Sequence, residues 1–283
     1  MTNIFMTFCF DIGRIRRDIL IKAAVALYKS LEYFKNNFEL HIYTNIDELT
    51  KYFENDTNIK IINHNIDNIE RYYDTTWLNL SFYKVTIYRN ILIETGITPI
   101  WIDLDTIVCG NIDHLSDYDN FFIIQGSEDT KLEKVHEDKE VEANKYIQGN
   151  IWKVNKELLD DLLKLWNTLT IKPIYDFQGL LNLAYYFKNF STKMSILGID
   201  IDKNTINGLE IHNSKKVVHC DLKSFRSALL MNDIYIMDVR KFRRINFMSL
   251  TFYELQDAII NNKFNTFTDY KIRKFFHYCG LLQ

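Results

Sequence analysis

The chain has 283 residues and a formal net charge of −3, with 47% hydrophobic and 25% charged residues. This composition is typical of a globular protein with a sizeable core, and it excludes a disordered or fibrous chain. The near-neutral charge gives no global field for binding nucleic acid, so we expect no nucleic-acid partner. No apolar run approaches the ~20 residues of a transmembrane helix, so we expect no transmembrane segment.

Four cysteines are scattered along the chain without a CxxC pair or the spacing of a zinc site: Cys9, Cys109, Cys220 and Cys279. We therefore expect reduced thiols and an intracellular, cytoplasmic protein, located in the host cytoplasm if the chain is viral. The short apolar N-terminus runs into Asp11 and has no basic start, which favours a buried strand over a signal peptide.

Strand and helix patterns alternate along roughly the first 200 residues. Apolar runs predict strands at 4–10, 40–44, 59–62, 99–105 and 121–125. Helical periodicity predicts a helix capped by Asp18, a second over 80–94 that stops at Gly96, and two more over 156–169 and 178–188. Such alternation favours an α/β fold, with a mostly parallel central sheet and helices on its faces.

Two segments depart from this alternation. Residues 127–145 are densely charged, which predicts a solvated helix or loop, with a mobile flap over a site as the alternative. From about residue 222 the chain becomes basic and aromatic, and we expect a single domain (1–221) with a helical C-terminal extension (222–283) packed on it.

That extension contains a cluster of basic residues, Arg240, Lys241, Arg243 and Arg244. Solvated charges are the plain interpretation. A peripheral contact with an anionic membrane or an acidic acceptor is the alternative.

Two aspartates end the strand predicted at 99–105. Asp103 and Asp105 are two residues apart, so both point to the same side of the sheet, at the end where open α/β sheets bind ligands. Two carboxylates in a nearly buried stretch repel each other unless a cation lies between them. A hard divalent ion that bridges them to a diphosphate is one solution. Two strand-end aspartates that face water are the other.

Further blocks occur in a fixed order around this pair. Phe82-Tyr83-Lys84-Val85 precedes it, and Asn111-Ile112-Asp113 follows. Later come Tyr146-Ile147-Gln148-Gly149-Asn150-Ile151-Trp152, Gln178-Gly179-Leu180-Leu181-Asn182 and Val217-Val218-His219. Together, over about residues 4–220, these blocks resemble the core of glycosyltransferase family 8, and in particular its glycogenin-like members.

The resemblance implies a single GT-A (Rossmann-like) nucleotide-diphospho-sugar transferase domain. It implies transfer of glucose or a related hexose from a UDP-sugar to a hydroxyl acceptor, with retention. The family's metal ligands correspond to Asp103, Asp105 and His219, and the nitrogen ligand favours Mn²⁺ over Mg²⁺.

The resemblance also assigns roles to individual residues. Contacts with the donor fall to residues at strand ends and helix starts: Thr7, Phe8, Asp11, Lys84, Asp103, Leu104, Asp105, Gly149 and Gln178. The catalytic candidates are Gln178, Lys84 and Asp176. Three of the assigned residues have a plain structural alternative: His219 as a satisfied core histidine, Lys84 as a solvated helix residue, and Gln178 as a helix cap.

The chain also departs from the family pattern. Ile147 replaces an asparagine, and Phe177 replaces an aspartate, although Asp176 lies one position earlier. The segment after His219 lacks the usual glycine and lysine, for which Lys223 is the nearest substitute. The donor sugar therefore stays undetermined.

Two alternatives follow. The first is a catalytically inactive nucleotide-sugar-binding protein. The second is an NDP-sugar nucleotidyltransferase, which is disfavoured because only Gly13 follows the first strand where a glycine-rich loop is needed. The acceptor is left open between a glycan, a protein, a lipid and a tyrosine of the chain itself, and a homodimer is compatible with the sequence.

Overall fold

In the computed structural model, strands and helices alternate as the apolar pattern predicts. The structure describes residues 2–12, 17–33, 35–64, 76–104, 106–108, 112–124, 132–197 and 236–238. The strands are β1 (Asn3–Cys9), β2 (Phe38–Thr44), β3 (Ile59–Asn63), β4 (Ile100–Ile102), β5 (Thr106–Val108), β6 (Phe121–Ile124), β7 (Leu132–His136), β8 (Lys139–Glu142), β9 (Ile147–Lys153), β10 (Ser195–Leu197) and β11 (Ile236–Asp238). The helices are α1 (Arg17–Tyr33), α2 (Thr76–Thr95), α3 (Lys156–Thr168) and α4 (Asp176–Phe187). Short 3-10 helices cover Asp47–Tyr52, Asp113–Asp117, Ala143–Lys145 and Ser191–Lys193.

The central sheet has the strand order β3-β2-β1-β4-β9-β6-β10. β9 is antiparallel to both of its neighbours, and every other pairing in the described sheet is parallel. The prediction of a mixed α/β fold with a mostly parallel central sheet is thereby confirmed, and the topology is consistent with a Rossmann-like fold. In such a sheet the carboxyl ends of the parallel strands share one edge, where ligands usually bind.

Alternate residues of β1 face two separate cores, as the pleat of a strand requires. Phe5 and Cys9 pack in the core that α1 covers, whereas Met6 belongs to the core covered by α2, α3 and α4. The sheet is therefore the middle layer of three.

Cys9 is a free thiol within the core that α1 covers. Burial raises the pKa of this thiol to about 12, so Cys9 is protonated.

α2 ends close to its predicted position but begins at Thr76, four residues before the predicted start, and Asp18 is not the cap of α1. Asp18 lies inside the first turn of α1, one residue after the helix begins, where its charge suits the helix dipole. α2 ends at Thr95, and Gly96 then adopts a φ of 67° while its N–H donates to the Leu92 carbonyl oxygen. The strand predicted over 99–105 is shorter, because β4 ends at Ile102.

The charged segment 127–145 contains a hairpin, so the prediction of a solvated helix or loop is wrong for its described part. β7 and β8 pair antiparallel, with Leu132 opposite Glu142 and Glu133 opposite Val141. Val135 and Val141 point inward and pack with Tyr146 and Leu183 of α4. Each strand has only one buried residue, a valine, and charged residues surround it in the sequence. The alternation of apolar and polar residues that marks a strand is therefore too weak to recognise.

The C-terminal region is described only at β11, which pairs antiparallel with β5 and places Asp238 opposite Thr106. These three residues are a strand, whereas a helical extension was predicted for 222–283. The rest of that extension, including the basic cluster at 240–244, lies outside the described residues, and so does His219. None of the helices in the described part of the chain combines the length and apolarity that a bilayer crossing requires.

Gly179 offers a test of the packing around α4. A Cβ at this position would lie 1.9 Å from the Ile174 carbonyl oxygen and 2.9 Å from Pro173 Cβ. We expect Gly179→Ala to lower the free energy of unfolding by about 3 kcal/mol, although alanine favours helix, because the turn before α4 must move. Urea denaturation measures this change.

Gly96→Ala is the matched control for that variant. A Cβ at Gly96 would contact nothing within 4 Å. The variant therefore loses stability only because alanine is strained in the left-handed conformation of this residue. We expect that cost to be about 1–2 kcal/mol. Equal losses for the two variants would contradict the close approach at Gly179.

Candidate functional site

The pairing between β6 and β9 is interrupted near the carboxyl ends of the parallel strands. Phe122 pairs with Trp152, but the next residue of β6, Ile123, pairs with Gln148. Residues 149–151 of β9 are therefore skipped by β6. Such bulges redirect the backbone and are common beside active sites. The peptide groups of Gly149 must find hydrogen-bond partners other than β6.

Two of the predicted site residues supply those partners. Lys84 Nζ donates to the Gly149 carbonyl oxygen at 2.6 Å, and the Gly149 N–H donates to Gln178 Oε1 at 3.1 Å. A Cβ built on Gly149 would contact Gln178 Oε1 at 3.4 Å and Lys84 Nζ at 3.5 Å. Lys84 from α2 and Gln178 from α4 thus hold the Gly149 backbone from two sides. We call these three residues the Gly149 bracket.

Asp103 supplies the negative charge beside the Lys84 ammonium of the bracket. Lys84 Nζ lies 3.8 Å from Asp103 Oδ1 and 5.1 Å from the centre of the Trp101 ring. Trp101 Nε1 donates to the same Oδ1 at 2.8 Å. Lys84 is only 8% exposed, and a buried ammonium needs such an acceptor and a counter-charge. Lys84 is therefore not the solvated helix residue that was the alternative interpretation.

Asn182 anchors α4 to the start of β9. Its Oδ1 accepts from the Ile147 N–H at 2.8 Å, and its Nδ2 donates to the Ile147 carbonyl at 2.9 Å and to the Gln178 carbonyl at 2.9 Å. Asn182 is completely buried. Asn182 lies in one of the sequence blocks named above, which assigns it no role of its own. Its position within the apolar run Leu180–Ala184 indicates such a role, because an amide in a buried run must be hydrogen-bonded.

The turn before α4 has an unusual backbone. Tyr175 and Asp176 have φ angles of 60° and 51°, in the left-handed region that residues other than glycine rarely occupy. Asp176 is 1% exposed, and Gln178 follows within the same helical turn. Backbone strain of this kind persists only where surrounding contacts enforce it, and it clusters at functional sites. Asp176, a predicted catalytic residue, is thus buried at a strained position.

The residues predicted to contact the nucleotide lie at the carboxyl end of β1. β1 extends to Cys9, so Thr7 and Phe8 lie within it, and Thr7 is completely buried. Asp11 follows the strand, where its N–H donates to Asn45 Oδ1 at 2.8 Å and its carboxylate pairs with Arg17 at 2.9 Å. Asp11 and Phe8 therefore lie at the carboxyl end of β1, whereas the Thr7 side chain is buried.

Aromatic rings surround Phe8 at this edge. Its ring lies 4.9 Å from Trp101, 4.8 Å from Phe10 and 6.2 Å from Tyr83. His64 packs beside Tyr83, with ring centres 5.7 Å apart, and its Nε2 bonds to the Tyr83 hydroxyl. Burial lowers the pKa of His64 and raises that of Tyr83, so both are neutral near pH 7. The edge therefore offers flat, uncharged rings beside the Lys84 ammonium.

The predicted metal ligands are described only in part. Asp103 and Leu104 are half-buried at the end of β4, whereas Asp105 and His219 lie outside the described residues. Among the residues that the structure does describe, no group of three His, Cys, Asp or Glu side chains is placed to hold a metal ion. The Asp103 carboxylate, oriented by the Trp101 indole, is the described member of the predicted set.

The two departures from the family pattern occupy core positions. Ile147 and Phe177 are both completely buried in the core under α2, α3 and α4. The Phe177 ring packs 5.0 Å from that of Trp152. Both side chains therefore pack behind the bracket and present no polar group to it.

Comparison with protein-family models gives no match, and comparison with curated proteins gives none either. The functional interpretation therefore depends on the geometry of the site.

Replacement of Asn182 tests how α4 is held. Asn182→Ala removes three buried hydrogen bonds, two with the Ile147 backbone and one with the Gln178 carbonyl, so we expect a loss of about 2–4 kcal/mol in the free energy of unfolding. Urea denaturation measures it. Asn155→Ala is the control, because it removes the single capping bond to the Leu158 N–H and should cost about 1 kcal/mol. A loss for Asn182→Ala no larger than for the control would contradict this role.

Proposed function

We propose that this protein is a GT-A-type glycosyltransferase that moves a hexose from a UDP-sugar to a hydroxyl acceptor with the help of a divalent cation. The observation that carries the proposal is the Gly149 bracket. Lys84, Asp103, Gly149 and Gln178 come from separate blocks of the sequence, and hydrogen bonds and an ion pair join them at one edge of the sheet. That edge is where open α/β sheets bind nucleotides.

Lys84 is suited to the diphosphate of the donor. Its ammonium is held by the Gly149 carbonyl and by the face of Trp101, so it is oriented before any ligand binds. A fixed cation in a site of low dielectric stabilises the negative charge that develops on a leaving diphosphate. Lys84 would therefore favour departure of the nucleotide.

Gln178 is suited to the sugar. Because its Oε1 accepts from the Gly149 N–H, its orientation is fixed and its amide nitrogen is the group turned to other partners. The side chain is half-buried, which leaves part of it accessible to a ligand. Gln178 would hold the hexose by donating from Nε2 to a hydroxyl or to the ring oxygen.

Asp103, Asp105 and His219 would hold the divalent cation. Asp103 fits this role, since it is a half-buried strand-end carboxylate whose orientation is set by the Trp101 indole, and oriented carboxylates are what metal sites require. The cation, when bound, supplies Lewis-acid stabilisation of the diphosphate. The aromatic rings around Phe8 and Tyr83 would support a flat base.

Lys84 and Gln178 can be tested with variants that keep shape. We expect Lys84→Met and Gln178→Glu each to reduce turnover by ~10–1000-fold, since each removes one electrostatic contact to the reacting group. Gln178→Glu keeps an acceptor for the Gly149 N–H and loses only the amide donors. Turnover is measured as UDP release from UDP-glucose and related UDP-hexoses, with and without an acceptor.

Lys172→Met is the matched control. Lys172 also donates to backbone carbonyls, those of Trp166 and Leu169, and also lies over a tryptophan ring, but it is not part of the bracket. We expect unchanged turnover for this variant. Binding of the donor by the parent chain without any UDP release would favour the inactive binding protein instead.

Removal of the cation tests the metal site. Excess EDTA should abolish tight UDP binding, and Asp103→Asn should weaken Mn²⁺-dependent UDP binding by about 100-fold, because the charge is lost while an oxygen remains for Trp101. Isothermal titration calorimetry measures both effects, with Asp117→Asn as a surface control. His219→Ala should weaken Mn²⁺ more than Mg²⁺. Full activity in excess EDTA would end the proposal of a metal-dependent enzyme.

A further inference from the structure

The Asp103 carboxylate already has a cation of the chain beside it. Lys84 Nζ lies 3.8 Å from Asp103 Oδ1, and the two side chains are only 10% and 15% exposed. Charges that are little exposed to water are poorly screened, so they interact over several ångströms. The Lys84 ammonium therefore offsets part of the negative charge that a divalent cation at Asp103 would use.

The ion pair is held by contacts besides its own attraction. The Lys84 ammonium donates to the Gly149 carbonyl oxygen at 2.6 Å and lies 5.1 Å from the centre of the Trp101 ring. The Trp101 indole N–H donates to Asp103 Oδ1 at 2.8 Å, and Trp101 is 2% exposed. One buried ring thus contacts both members of the pair. The fold therefore keeps the ammonium close to the carboxylate.

A divalent cation at Asp103 would bind close to this ammonium. Carboxylate oxygens bind such cations at about 2 Å. Since Nζ is 3.8 Å from Oδ1, an ion on Oδ1 would lie within about 6 Å of Nζ. Coulomb repulsion between a divalent and a monovalent cation at that distance changes a binding constant by about tenfold, even at the dielectric constant of bulk water. The Lys84 ammonium therefore opposes binding of a divalent cation at Asp103.

We propose that Lys84 lowers the affinity of the Asp103 site for a divalent cation until a diphosphate is bound, an inference that rests on the proposed function. The diphosphate of a nucleotide is multiply negative at neutral pH, so it attracts the ammonium and the metal ion together. The nucleotide-free site binds the cation weakly, and the cation is taken up together with the nucleotide. Lys84 thereby sets the order of binding, in addition to its contact with the donor.

The test measures Mn²⁺ binding by the full chain without any nucleotide, by isothermal titration calorimetry. We expect Lys84→Met to bind Mn²⁺ about tenfold more tightly than the parent chain, because the repelling charge is removed while the length of the side chain is kept. The direction of this change separates the proposal from other roles. Loss of a lysine that served only the diphosphate would leave Mn²⁺ binding unchanged, and loss of one that served only packing would weaken it.

Lys172→Met is the matched control, because it removes the same charge at a distant site. Lys172 donates to the carbonyls of Trp166 and Leu169 and lies over the Trp166 ring. We expect this variant to bind Mn²⁺ as the parent does. Lys84→Gln is a second variant, which removes the charge and keeps a hydrogen-bond donor in the side chain. It decides the question if circular dichroism shows that Lys84→Met fails to fold.

Mn²⁺ binding by the Lys84 variants that is no tighter than that of the parent, or equal gains for Lys84→Met and Lys172→Met, would overturn the inference. If the parent then still shows Mn²⁺-dependent UDP binding, the proposed function stands. Tighter Mn²⁺ binding by the Lys84 variants, with no UDP binding by the parent, would support the inference and reject the donor site. Absence of Mn²⁺ binding in every chain, with and without UDP, would overturn both.

Discussion

The backbone of Gly149 is the constraint on which the candidate site depends. Where β9 leaves the ladder with β6, a buried N–H and a buried carbonyl must be satisfied, since an unmade hydrogen bond there would cost free energy. Lys84 satisfies the carbonyl, and Gln178 satisfies the N–H. The same two bonds fix an ammonium and an amide at the sheet edge. The bonds that satisfy the backbone of this one residue therefore also position the two side chains that we propose contact the ligand.

The sequence could predict the layers of the fold because they follow from apolar periodicity, and it could single out Lys84, Asp103, Gly149 and Gln178 because they lie in short motifs. It could not predict the hairpin of β7 and β8, whose buried face is one valine per strand. It could mark Asn182 as a buried amide that needs hydrogen bonds, but it could not name the partner. That partner, Ile147, lies 35 residues away, and no local pattern records such a contact.

Helix α4 joins the parts of the molecule that the site requires. Its first turn carries Gln178, its buried face packs on Trp152 through Phe177, and Leu183 receives the hairpin through Val135 and Val141. Asn182 ties the same helix to the beginning of β9. Because these contacts share one short helix, the hairpin and Gln178 are held by the same element. The strained residues at the start of α4 are tolerated for the same reason.

Trp101 has a consequence for how the protein can be observed. Its indole N–H bonds to Asp103, and its ring lies nearly parallel to that of Trp152, with an interplanar angle of 15° and centres 5.9 Å apart. A charge close to an indole interacts with its ring, so we expect binding of a cation at the Asp103 carboxylate to change the fluorescence of this stacked pair. Tryptophan emission would then follow the ionic state of Asp103 without an added label.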